Sequence, residues 1–162
     1  MTISRSLLAA VFGIVFLAEP AAAQELVSAS DPDGLVAAIL AMGYQASLDK
    51  DGTGDPIIFS RANGGNFSIE FYGCSENKAC KTLRFFAGYD LENGTTLDAV
   101  NAWNSEQRFA SAFLDAEADP FLQMDVNTEG GISIKTLQTN LQAWEAQKRA
   151  FESHINFRRG GP

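Results

Sequence analysis

At 162 residues, with 46% apolar and 20% charged side chains, the chain is long enough for one ordinary domain and too balanced for a disordered or fibrous protein. Twelve Lys and Arg face 20 Asp and Glu, a net charge of −8, and the densest basic pairs are Lys148-Arg149 and Arg158-Arg159. Phosphate backbones recruit clustered cations, so this balance argues against nucleic acid as a partner.

Residues 1–23 carry the pattern of a secretory signal: Arg5, an apolar run from Leu7 to Leu17, then Ala21-Ala22-Ala23 before Gln24. That run is shorter than the ~20 helical residues a bilayer core of ~30 Å requires. Cleavage after Ala23 is expected, with no stable membrane anchor afterwards and a location in the periplasm or outside the cell. In an oxidising compartment the two cysteines, Cys74 and Cys80, imply one disulfide. A zinc site needs four ligands, and His154 is the only further soft candidate. Five residues between the thiols also do not match the C-x-x-C of redox sites. No cofactor is expected.

Residues 24–30 read as a flexible lead. Asp31 is placed to cap a helix with Pro32 at its first position, and Leu35, Val36, Ile39, Leu40 and Met42 form its apolar face before Gly43 ends it. Asp49, Asp51, Thr53 and Asp55, with Gly54 at the sixth position, imitate the first half of an EF-hand loop. The second half has Pro56 at position 8 and Ser60 at position 12, where a bidentate Glu belongs, so a tight turn is expected rather than a calcium site.

Strands are predicted over 56–61, 67–72 and 83–89. Asn63-Gly64-Gly65 supplies the first hairpin turn, and the Cys74–Cys80 segment supplies the second. Thr95 or Thr96 opens a second helix with the stripe Leu97, Val100, Trp103, and Arg108 ends it. Strands follow over 109–115 and 121–126, joined by Ala116 to Pro120. The longest helix carries Ile134, Leu137, Leu141, Trp144, Lys148, Phe151 and Ile155 on one seam, facing the sheet or a second subunit. Residues 157–162 read as a flexible tail. The expected architecture is one α+β domain, residues 31–156, of order α-β-β-β-α-β-β-α, with helices packed on an antiparallel sheet.

Phe71-Tyr72-Gly73-Cys74, Cys80-Lys81-Thr82-Leu83-Arg84-Phe85-Phe86-Ala87-Gly88-Tyr89, Asn101-Ala102-Trp103-Asn104 with Arg108-Phe109, and Asp125-Val126 to Gly130-Gly131 together resemble the YbjN-domain proteins. The likeness runs from about Asp31 to Phe151. It implies a fold similar to type III secretion chaperones and a role in bacterial sensory transduction regulation, with no established catalytic residues.

No chemical constellation stands out from the residues themselves. His154 is the only histidine and lies near the end of the last helix. Asp115, Glu117 and Asp119 cluster in a turn, where acids are common. Asn101, Trp103, Asn104 and Arg108 combine an aromatic anchor with polar neighbours, residue types enriched in binding hot spots. The competing reading places Trp103 in the core, with the Asn side chains bonded to nearby backbone. The expected function is therefore a non-enzymatic periplasmic protein-binding or chaperone-like regulatory domain with a protein partner. The alternatives are a structural envelope homodimer and a small hydrolase using the Asp115–Asp119 carboxylates.

Overall fold

The structure is a computed structural model and describes residues 25–62 and 64–158. The expected signal segment, Asn63 of the first hairpin turn and residues 159–162 of the expected tail lie outside the described residues. Eleven elements follow in chain order: β1 (Leu26–Val27), α1 (Pro32–Ala41), β2 (Gln45–Lys50), β3 (Pro56–Ala62), β4 (Gly65–Tyr72), β5 (Thr82–Gly88), α2 (Leu97–Glu106), β6 (Ser111–Leu114), β7 (Pro120–Asn127), β8 (Ile132–Ser133) and α3 (Ile134–His154). Six strands form one antiparallel sheet in the order β2-β3-β4-β5-β7-β6, and β1 pairs with β8 beside it. The α+β class is as expected.

Local chemistry sets the helix starts. Asp31 Oδ1 accepts from Gly34 N at 3.0 Å, Thr96 Oγ1 from Ala99 N at 3.1 Å, and Ser133 Oγ from Thr136 N at 3.0 Å. Period-2 alternation then sorts the strand side chains. Ile58, Phe67, Ile69, Phe71, Leu83, Phe85, Ala87, Leu122 and Met124 point into a single core. Leu35 and Ile39 of α1, Val100 and Trp103 of α2, and Leu137, Leu141, Trp144 and Phe151 of α3 close over that same face. Trp144 sits 5.9 Å from both Phe67 and Phe85. The seam of α3 therefore faces the sheet. Its polar interruption, Lys148, is only 3% exposed and reaches Glu152 at 2.6 Å.

Several expectations need correction. The order gains the short β1 and β8 and also β2, which pairs along its whole length with β3 from Gln45↔Arg61 to Lys50↔Pro56. As an outer strand it buries little, so its alternation of Ala46 and Leu48 is a weak signal. Residues 25–30 are not a flexible lead. Ala29 is fully buried, and its N–H donates to Thr128 Oγ1 at 2.9 Å while that hydroxyl donates to Lys81 O. The lead is held because Thr128 bridges it to the entry of β5. Phe157, assigned to the tail, packs edge-on against Tyr89 at 5.0 Å. Finally, α2 ends at Glu106, where Gln107 turns to extended backbone, so Arg108 lies beyond the helix.

Candidate functional site

The residues singled out on α2 divide between structural and exposed roles. Trp103 is 2% exposed, stacks edge-on with Phe151 at 4.9 Å, and donates its indole N–H to Ala110 O at 3.2 Å. Asn104 donates to Ala112 O at 3.0 Å and accepts from Ala112 N at 2.8 Å, so its amide serves as a strand partner for β6. Asn101 and Arg108 are exposed, and the Arg108 guanidinium lies 5.8 Å from the exposed Phe109 ring. His154 Nε2 donates to Ala99 O at 2.8 Å, tying α3 to α2. These contacts fix a corner of the fold, with Trp103 in the core and the exposed Asn104 fastened to β6.

The two acidic clusters resolve into one recurring turn. Asp51 Oδ1 accepts from Thr53 N, Thr53 Oγ1 and Asp55 N, and the Asp51 N–H donates to Asp55 O at 2.8 Å. Asp115 Oδ1 likewise accepts from Glu117 N and Asp119 N, and Asp115 N–H donates to Asp119 O at 3.1 Å. Each turn places a left-handed residue fourth, Gly54 at φ 91° and Ala118 at φ 64°. The hydroxyl of Thr53 and the converging N–H groups hold the Asp51 carboxyl below the usual carboxylate range. Asp49 Oδ1 accepts from Lys50 N, Asp55 Oδ1 from Asn77 Nδ2, and Asp119 Oδ1 from Leu91 N. The first turn closes β2 on β3, the second closes β6 on β7, and the carboxylates of Asp51 and Asp115 serve the backbone.

Cys74 and Cys80 are joined, with the sulfurs 2.06 Å apart. Inside the bridge Ser75 and Lys78 exchange backbone hydrogen bonds of 2.7 and 3.0 Å around Glu76 and Asn77, both left-handed. This miniature hairpin carries Asn77 to the neighbouring turn, where its amide donates to Thr53 O and Asp55 Oδ1. The disulfide closes this tip, and Asn77 links it to the neighbouring one.

The sheet face away from the helices is the surface that remains. Phe59, Tyr72 and Phe113 are 51%, 41% and 40% exposed there. Half-buried Phe86 and Phe121 join Phe113 in a cluster with ring centroids 5.3 to 6.3 Å apart. Gly88, in register with Phe121, lies under that ring, and a Cβ at Gly88 would stand 2.6 Å from it. At one end of the face Arg84 forks onto Asp125 with bonds of 2.8 and 3.3 Å and covers Tyr72 at 4.7 Å. Hydrogen bonding to Asp125 raises the Arg84 pKa above the ordinary guanidinium value. Burial, then the Glu70 carboxylate accepting its hydroxyl, raises that of Tyr72. Toward the β2 edge the twist opens a trough of about 660 Å³, lined among others by Gln45, Ser47, Phe59, Arg61, Asn66 and Phe86.

A family model described as "Putative bacterial sensory transduction regulator", YbjN, matches residues 31–157. The chain belongs to the YbjN family. No curated protein and no solved structure matches it. In this YbjN domain the disulfide is consistent with an oxidising compartment, and no helix among the described residues is long and apolar enough to cross a membrane.

The open face of the YbjN sheet is missed by sequence reasoning about the site, which gathers on α2. Its signal is present in the strands: Phe59, Phe86, Phe113 and Phe121 occupy the positions that alternate with the core residues. Apolar residues on both sides of several strands mean that one face of the sheet carries apolar surface beyond what the core requires.

Proposed function

We propose that this YbjN domain is a non-catalytic periplasmic regulator that acts by binding another protein through the open face of its sheet. The observation that carries this reading is the group Phe59, Tyr72, Phe86, Phe113 and Phe121 on the face opposite all three helices. Aromatic side chains bury large area at little rotamer cost, and contiguous apolar surface on a soluble domain marks interaction sites. Oδ1 of Asp51 and of Asp115 accepts turn N–H groups, a structural use of these two acids. The expected signal segment and the disulfide support the periplasm.

The test is crosslinking in intact cells followed by purification and mass spectrometry. The reading expects one reproducible partner, lost in Phe59→Ser and Phe113→Ser and retained in Asn101→Ala and Arg108→Ala. Loss in the Arg108 variant alone would move the interface to the end of α2 and overturn the reading. Recovery of only the chain itself would favour the homodimer. A monomer by light scattering at micromolar concentration would then remove that alternative.

A further inference from the structure

The two arginines of the open face are in opposite situations. Arg84 is neutralised within the sheet by its fork onto Asp125. Arg61 is exposed, and its guanidinium makes one hydrogen bond, from Nη2 to Gly64 O at 3.0 Å, with no carboxylate within ion-pair distance among the described residues. It lines the trough beside Phe59 and Phe86, and the other polar lining side chains are Gln45, Ser47, Ser60, Asn66 and Ser68. No acidic residue lines the trough, although the chain carries 20 and a net charge of −8. This acid-free concavity therefore holds a cation next to aromatic rings.

We infer that the trough binds an extended segment of a partner protein in which an Asp or Glu stands beside an aromatic or branched aliphatic residue. This rests on the protein-binding reading above and specifies its ligand. The carboxylate is received by the open edge of the Arg61 guanidinium, whose planar fork suits two carboxylate oxygens. The neighbouring apolar side chain covers Phe59 and Phe86, and Gln45, Ser47 and Asn66 meet the segment's backbone groups. Charge complementarity selects this occupant. The chain's net charge of −8 opposes an acidic segment in general, and Arg61 accepts one here, so the trough sets both position and register.

An array of decapeptides tests the assignment with the full exported chain. Each peptide has a central Asp or Glu flanked by Phe, Leu or Val, and its counterpart carries Asn or Gln instead. Acidic peptides should bind the wild type about fivefold better than their amide counterparts, as one well-placed exposed ion pair allows. That ratio should fall to about one in Arg61→Gln and be partly restored in Arg61→Lys, while Phe59→Ser weakens both sets. Both side chains are exposed, and circular dichroism checks that the variants fold.

Equal binding of acidic and amide peptides to the wild type, or an acid preference that survives Arg61→Gln, would overturn the inference. Full competition by free phenylpropionate at the concentration of the bound peptide would do so too, by making the ligand a small aromatic acid. The broader reading fails separately. If crosslinked partner capture is lost in Phe113→Ser, which lies outside the trough, but not in Arg61→Gln, the open face stands and the acidic ligand falls.

Discussion

Asn104 and Ala112 exchange two hydrogen bonds, side-chain amide to backbone, at 3.0 and 2.8 Å. The amide stands where a further strand would stand against β6, and it fastens α2 to an edge of only four residues. Asn104→Ala removes both bonds and leaves two backbone groups to find water. A loss of about 1–3 kcal/mol in unfolding free energy is expected, read from urea denaturation. Asn104→Asp keeps the acceptor for Ala112 N–H and sets an anion against Ala112 O, so it should not rescue. An alanine variant as stable as the parent would show that this clasp contributes nothing.

Lys148 interrupts the apolar seam of α3, yet is almost fully buried with Glu152 one turn away. Breaking a buried ion pair by removing one member costs about 3–5 kcal/mol. Lys148→Met should lower stability by that amount. Lys148→Met combined with Glu152→Leu should recover part of it, since the carboxylate that faced Lys148 is then gone as well. A double variant no better than the single one would contradict this account.

Ala118 holds the left-handed position of its turn at φ 64°, where the matching turn has Gly54. An L-residue there is disfavoured by about 1–2 kcal/mol. Ala118→Gly should therefore stabilise the domain by about 1 kcal/mol, whereas Gly54→Ala should destabilise it by a similar amount. Thermal melts of the two variants moving in the same direction would count against the shared-turn interpretation.

The Cys74–Cys80 bridge closes a loop with a sequence separation of 6. On the chain-entropy model, cutting so short a loop costs about 2 kcal/mol. The double variant Cys74→Ser/Cys80→Ser should show this loss in urea, together with faster amide exchange at Asn77 and Thr53, whose contact the bridge supports. Unchanged exchange would mean that the two tips hold each other without it.

The raised pKa values of Tyr72 and Tyr44 have burial as their leading cause, with Glu70 and Glu145 adding to it. The neutral phenol is thus favoured in the folded state. Its stabilising contribution is complete below the unfolded value near 10 and is lost as pH rises through the folded value. Absorbance titration at the phenolate band should place both groups above free tyrosine. Tyr72→Phe should flatten the alkaline fall in melting temperature. A steeper fall in that variant would reverse the assignment.

The helices and inner strands are legible in the sequence because local rules set them. Asp31-Pro32 opens α1, the alternation of Phe67, Ile69 and Phe71 marks β4, and the spacing from Leu137 to Phe151 draws the buried stripe of α3. β2 escapes because an outer strand buries too little to impose a pattern, and the docked lead escapes because its anchor, Thr128, is 99 residues from Ala29. Trp103 shows the limit of residue types as a guide to a site. Aromatic and amide side chains suit a recognition patch and a buried clasp equally, and Ala110 and Ala112 decide between them.

By itself the sequence determined the α+β class, the YbjN family, the pairing of the only two cysteines, and the character of both acidic turns. Each of these depends on short-range pattern or on counting. Which face of the sheet stays open was decided by the tertiary structure alone. Alternation divides a strand into two sides without saying which one the helices cover. Only when α3 lays Trp144 against Phe67 and Phe85 are Phe59, Phe86 and Arg61 left together on the outside.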